Sequence, residues 1–311
     1  MEESKKIGAT DLFMLLAVLI WAVNFTVIKI ALREFTPQGF NGLRLFFASL
    51  LLILILLVRR EGLYMARSDL WKAVVLGIIG HTAYQLLFIH GLNWTSVSNT
   101  SIIMAITPVF IALLSTFSKQ ERIHWAAWAG IFSSFIGFCF VIARQDRAFP
   151  HSLQDLKGDL LIFAGSFFWA VYTVFSKPQL ERIAPLKWTS LTLAIGTFFY
   201  LPFSLNDMVH IPWKEVSLQG WSGLFYSSLF SIAAAYVIWY ASVRRIGNSK
   251  TAVYGYIIPV FAVLTAYIFL GERISPIQAA GALIILGGVY LARSGYRFFD
   301  RKKKTTLSKT T

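Results

Sequence analysis

Apolar runs of 17 to 23 residues, each bounded by charged or turn-forming residues, recur near 12–32, 40–58, 73–90, 98–118 and 125–143, then near 160–176, 188–205, 221–243, 251–270 and 276–292. About 20 predominantly apolar residues suffice to cross the roughly 30 Å hydrocarbon core of a bilayer. The pattern predicts an all-α integral membrane protein with ten transmembrane helices. The first run is longer than the roughly 7–15-residue apolar region of a signal peptide, and no small-residue cleavage site follows it, so it reads as a span.

Composition narrows this further. The 311 residues are 56% hydrophobic and 14% charged, with a mean hydropathy of +0.62, well outside the usual range of soluble chains. Ten spans leave only short loops and termini, with no room for a soluble domain. The net charge of +14 could suggest nucleic acid, but Lys and Arg sit between apolar runs and in the tail Arg301-Lys302-Lys303-Lys304. Membrane topology explains that placement, and membrane lipid rather than nucleic acid is the expected partner. With the amino terminus in the cytoplasm, 21 of the 29 Lys and Arg fall on the cytoplasmic side and 6 on the other. The bias predicts a multi-pass protein of the cell membrane with both termini cytoplasmic. Trp71, Trp94, Trp125, Trp188 and Trp221 sit at the ends of spans, as interfacial anchors do. The single cysteine, Cys139, permits neither an intrachain disulfide nor a thiolate metal site.

A shift of 148 residues aligns Asp11 with Asp159, Trp21-Ala22-Val23 with Trp169-Ala170-Val171, Lys29 with Lys177 and Pro37 with Pro185, without a gap. A shift of 151 aligns Pro108-Val109-Phe110 with Pro259-Val260-Phe261, Glu121-Arg122-Ile123 with Glu272-Arg273-Ile274, and Gly137 with Gly288. Apolar helices match by chance at apolar positions; these match at polar ones too. The expected organisation is a cytoplasmic amino terminus (1–10), a five-helix repeat (11–144), an outer connecting loop (145–158), a second five-helix repeat (159–294) and a basic cytoplasmic tail (295–311). With five spans per repeat the second half enters from the opposite side. The halves are therefore two inverted five-helix repeats, the pattern of secondary transporters that bind solute near the midplane.

Trp21-Ala22-Val23-Asn24-Phe25 with Lys29 and Arg44, mid-span Pro108 and Pro259, and Gly271-Glu272-Arg273 with Gln278, Gly281 and Gly287-Gly288 carry a family resemblance. Over about residues 10–294 the chain resembles the EamA-type family of the drug/metabolite transporter superfamily. The resemblance implies a ten-helix bundle that moves small metabolites, amino acids or drug-like compounds, often outward. Two departures stand out: Trp-Ala replaces the family's usual Trp-Gly early in both halves, and Lys119-Gln120-Glu121 replaces its Leu-Gly-Glu pattern in the first repeat.

Trp21, Asn24, Phe25 and Ile28 share one face of a helix, and Trp169, Tyr172, Thr173 and Ser176 hold the equivalent positions in the second half. A polar side chain facing lipid is costly, so both faces point inward, to line a cavity or to bond neighbouring helices. A second stripe is His81, Tyr84, Gln85 and Phe88, joined by Tyr236, Trp239 and Tyr240; Asn99, Ser101, Thr107, Tyr254 and Tyr256 add to it. Aromatic walls with few hydrogen-bonding groups suit an amphipathic or aromatic solute, although such stripes also build ordinary cores. Lys29 and Arg44 are cations inside spans, which makes an anion-contacting role the default, with snorkelling to the interface as the alternative. Pro108 and Pro259 are candidate hinges, since each removes a backbone hydrogen bond. Ser133 with Gly137 and Gly288 with Ala292 are small-residue pairs that favour close packing within the monomer; either a monomer or a homodimer is open. No His-Glu-x-x-His, paired carboxylates within spans or Gly-rich phosphate loop occurs, so no enzyme, metal or cofactor is expected. The reading is a carrier for a small-molecule solute. A sugar-phosphate or nucleotide-sugar exchanger, which would need several inward cations, and a passive channel are the alternatives.

Overall fold

The computed structural model describes residues 8–120 and 152–288, together with positions 129, 130, 132, 133, 135–137, 140, 290 and 291. Among them the helices are α1 (Ala9–Ala31), α2 (Pro37–Val58), α3 (Arg67–Trp94), α4 (Val97–Phe117), α5 (Leu153–Leu180), α6 (Pro185–Val209), α7 (Leu218–Ile246), α8 (Asn248–Leu270) and α9 (Pro276–Gly288). The first 8 of these are long and apolar enough to cross a membrane. The expected span at 125–143 lies largely outside the described residues, as does the end of the last one. Several helices begin before their apolar runs, because polar caps extend them beyond the hydrocarbon-length stretch. Thr36 accepts from the Gly39 N–H ahead of Pro37, and Ser152 accepts from Asp155 in a capping box.

Polarity is distributed inside out. Leu12, Leu54, Phe198, Phe203, Ile268 and Phe269 are exposed on the exterior, whereas Asn24, Asn41, Ser190, Thr192, Ser227 and Ser228 are buried. This suits a hydrocarbon surround, in which polar groups must find partners inside the bundle. Trp188, expected as an interfacial anchor, is instead fully buried in the core, while Trp71 is exposed.

Helix pairing follows a pattern. α1 packs on α7 and α8, α5 packs on α3 and α4, and α2 packs on α6. Close approach depends on missing side chains. A Cβ on Gly80 would overlap the Tyr172 ring, and one on Gly137 would lie 2.7 Å from the Gly281 carbonyl and the Ile285 nitrogen. The Gly137 contact is close packing within one chain.

Two pairs of helices are irregular. α4 is interrupted at Ala105 and Ile106, after which Thr107–Phe117 resumes with Pro108 in its first turn; α8 passes through a tighter turn at Val253–Ile257 before Ile258–Leu270, with Pro259 in its first turn. Proline has no N–H for the carbonyl four residues back, which is Met104 in one case and Gly255 in the other. α3 and α7 widen into π-helical turns at Ile78–Ala83 and Tyr226–Ala234, an irregularity frequent at functional sites.

Candidate functional site: a central aromatic cavity

Three of these irregular segments, those of α4, α7 and α8, border one cavity. Its lining includes Trp21, Asn24 and Phe25 of α1, Arg44 of α2, Tyr84 and Phe88 of α3, and Ser101, Met104, Thr107 and Pro108 of α4. Ala105 and Ile111 of α4, Trp169 of α5, Ser231, Tyr236 and Trp239 of α7, and Ala252, Gly255 and Ile258 of α8 complete it. The cavity is narrow, about 70 Å³.

Its aromatic wall is continuous. Trp21 meets Trp169 edge-on with ring centroids 6.1 Å apart, and lies 5.2 Å from Trp239 and 6.1 Å from Tyr236. Trp169 lies 4.9 Å from Tyr236 and 5.2 Å from Tyr84. The π turn of α7 fixes Trp21. There the Ala235 N–H bonds to the carbonyls of Phe230 and Ile232, passing over Ser231. The Ser231 carbonyl accepts the Trp21 Nε1–H at 2.9 Å instead. The Tyr226 hydroxyl in the same turn donates to the Ile20 carbonyl at 3.1 Å, so α1 is held at two successive residues.

Polar groups on the lining are few, and several lack partners. Asn24 Oδ1, Arg44 Nε and Nη1, Thr107 Oγ1 and Trp239 Nε1 are buried without a hydrogen bond from the protein. Arg44 is 2% exposed, and its guanidinium carbon stands 5.8 Å over the Phe88 ring. Among the described residues, no Asp or Glu lines the cavity.

The other expected site residues lie around it. Lys29 Nζ donates to the carbonyls of Leu92, Asn93 and Thr95 at 2.8, 2.9 and 2.7 Å, which closes the carboxyl end of α3. An ammonium has three N–H groups, and all three are used. Asn99 bonds both carboxylate oxygens of Asp159 and accepts from Gln278 Nε2; Thr95 donates to the same carboxylate at 2.5 Å. Tyr254 donates to Asp11. Gln85 Nε2 donates to the Tyr236 hydroxyl at 2.9 Å, holding a lining residue from behind. His81 is buried between Tyr172, at 4.6 Å, and Tyr236, at 5.7 Å, and Tyr172 bonds Thr192 at 2.6 Å. None of these six, Lys29, His81, Gln85, Asn99, Tyr172 and Tyr254, is a lining residue.

Sequence reasoning missed Met104, Ala105, Ile111, Ser231, Ala252, Gly255 and Ile258. Met104 and Gly255 carry a signal, since each stands four residues before one of the two repeat-matched prolines. Ser231 carries none, because its role depends on the π turn.

The fold and the site together describe a helical membrane protein with an aromatic cavity among its helices. The EamA-like transporter family matches residues 8–143 and 156–294, and the chain belongs to that family. It is a multi-pass membrane protein. An uncharacterized transporter of Archaeoglobus fulgidus is 31% identical over 91% of this chain and 96% of its own length. A probable terminal-alkyne amino-acid exporter of Streptantibioticus cattleyicolor is 29% identical over 89% and 91%. A probable amino-acid metabolite efflux pump of Salmonella typhimurium is 26% identical over 91% and 94%. A solved crystal structure with 19% identity covers 94% of this chain and 98% of its own with a TM-score of 0.68, a likeness of fold.

Proposed function

We propose that this protein is a secondary carrier of the cell membrane, with both termini cytoplasmic, that exports a small organic metabolite, amino acid or drug-like solute by alternating access. The observation that carries this reading is the shared ownership of the cavity. Trp21 and Trp169, matched by the repeat, contribute adjoining rings to one wall, and helix breaks ahead of Pro108 and Pro259 border the same space. Exchanging the halves maps α1 on α7 and α8 onto α5 on α3 and α4, and leaves the α2 and α6 pair in place. That pairing supports two inverted repeats, which can rock about a fixed midplane site.

Trp21, Asn24, Arg44, Tyr84, Trp169, Tyr236 and Trp239 form the solute contacts. Lys29, His81, Gln85, Asn99, Tyr172 and Tyr254 hold the surrounding helices. The outward direction rests on the relatives named as an exporter and an efflux pump. A sugar-phosphate exchanger finds weaker support, since Arg44 is the single cation among the described lining residues.

The test is counterflow with purified protein in liposomes preloaded with candidate amino acids and aromatic metabolites. A carrier accumulates labelled solute transiently against an unlabelled pool. Flux that equilibrates without that overshoot for every accepted solute would replace the carrier by a channel.

A further inference from the structure

We infer that the solute carries a carboxylate and that Arg44 is its counter-ion, with the aromatic wall receiving an apolar or aromatic body. The inference rests on the carrier reading above for the identity of the cavity as the solute site.

Two cations that look alike in the sequence differ in the fold. Lys29 has three carbonyl partners supplied by the chain. Arg44, almost wholly buried, has none at Nε and Nη1. A guanidinium stays charged under all ordinary conditions, and a buried charge without a partner is strongly unfavourable. The Phe88 ring offsets only a small part of that penalty. The ionisable groups facing Arg44 are the phenols of Tyr84, Tyr200 and Tyr236. Among the described residues no carboxylate lines the cavity, so the counter-charge must arrive with a ligand.

Geometry and charge select the ligand group. The planar fork of a guanidinium matches the two oxygens of a carboxylate. One positive charge and one monoanion leave the loaded cavity neutral. A phosphate dianion would leave a net negative charge, and a bare amine would place like charges together. Asn24 Oδ1 is an unpartnered acceptor on the same lining, placed to accept from an N–H or O–H elsewhere on the solute. Trp21, Trp169, Tyr236 and Trp239 offer aromatic surface to an apolar or aromatic body and few hydrogen-bonding groups.

The experiment uses the detergent-purified full chain and compares, by calorimetry, hydrocinnamate, L-phenylalanine, indole-3-acetate and 4-methylvalerate with hydrocinnamide and phenethylamine. Hydrocinnamate should bind at least about tenfold tighter than hydrocinnamide, the scale of a charge-assisted pair. Arg44→Gln should bring that ratio to about one, and Arg44→Lys should keep part of it. If Arg44→Gln does not fold, the wild-type ratio and the Arg44→Lys protein decide. Hydrocinnamide or phenethylamine binding as tightly as hydrocinnamate, no binding by any of the four carboxylates, or a ratio unchanged in Arg44→Gln would each overturn the inference. Counterflow with the same compounds separates it from the carrier reading. Counterflow of phenethylamine but not of hydrocinnamate ends the carboxylate assignment alone. Carboxylate-selective binding with channel-like flux upholds the assignment and ends the carrier reading.

Discussion

Trp21 and Trp169, which occupy matched positions 148 residues apart in the sequence, meet edge-on at 6.1 Å with their planes 89° apart. The two are not equivalent in their bonding. Trp21 is anchored through Nε1 to the Ser231 carbonyl, whereas Trp169 is held by packing among Tyr84, Tyr236 and Tyr240. Truncating either to Ala should reduce transport by more than about tenfold relative to the amount of folded protein. Because truncating a buried aromatic also destabilises by about 3–5 kcal/mol, Trp21→Phe is the cleaner probe, keeping a ring and losing only the anchor. It should fold normally and transport more slowly, while Trp221→Ala should strongly change neither transport nor the amount of folded protein. Wild-type rates from both Trp21→Phe and Trp169→Ala would move the solute away from this wall.

Lys29 closes the end of α3, so its removal is a stability effect. Lys29→Ala leaves three carbonyls to find other donors and should cost about 1.5–3 kcal/mol, the range for hydrogen bonds to a charged group. The expected outcome is a lower melting temperature in detergent with an unchanged order of solute preference in the folded fraction. A variant with wild-type melting and a raised KM would instead place Lys29 at the solute.

The sequence carried much of this and was silent on the rest for identifiable reasons. Pro108 and Pro259 announce the helix breaks because a missing N–H is a local property. The Trp21 and Trp169 faces are legible because the repeat aligns them without gaps. The stripe of His81, Tyr84, Gln85 and Phe88 assumes an unbroken 3.6-residue period. The π turn at Ile78–Ala83 interrupts that period, so Tyr84 and Phe88 reach the cavity while His81 packs against Tyr172 and Thr192. No breaker residue marks that turn. Lys29 and Arg44 are indistinguishable by depth in the sequence; only the placement of Leu92, Asn93 and Thr95 decides which one is satisfied.

Orientation is open to direct measurement. Cysteines at Asn93 and Lys119, which flank α4, should react from opposite sides of the membrane, Asn93 from outside and Lys119 from the cytoplasm. Reaction from one side would mean that α4 does not span, and the five-plus-five arrangement would fall with it.

Energy coupling follows from the lining. A proton-coupled carrier usually holds a titratable group near the midplane. Among the described lining residues no Asp or Glu is found, and His81 lies behind the wall. Counterflow should therefore continue at the same rate when the pH gradient is collapsed with an ionophore. A gradient requirement that vanishes in His81→Asn would route coupling through His81. One that survives both His81→Ala and His90→Ala would contradict facilitated transport or exchange and coupling through His81 alike.

Glu272 links distant parts of the chain. Its carboxylate accepts the Val97 and Ser98 N–H groups at 2.9 Å and the Ser98 hydroxyl at 2.7 Å, binding the segment after α8 to the first turn of α4. A carboxylate at a helix amino terminus is favoured by the unpaired N–H groups and by the helix dipole. The Asn99, Asp159 and Gln278 bonds, and those of Lys29, lie at the same end of the bundle. Together they tie the helices at that end, which the topology proposed above makes the outer one. Glu272→Gln keeps the shape and removes the charge, and should favour opening on that side. In a Cys139→Ser background, a Ser101→Cys reporter on the cavity lining should then react about tenfold faster with an impermeant thiol reagent added outside, the scale set by losing charge-assisted bonds. Reaction from the cytoplasmic side should slow, because the two openings are alternatives of one equilibrium. If labelling accelerates from both sides, Glu272 stabilises the fold without acting as a gate; if it accelerates only from the cytoplasm, the proposed orientation is reversed.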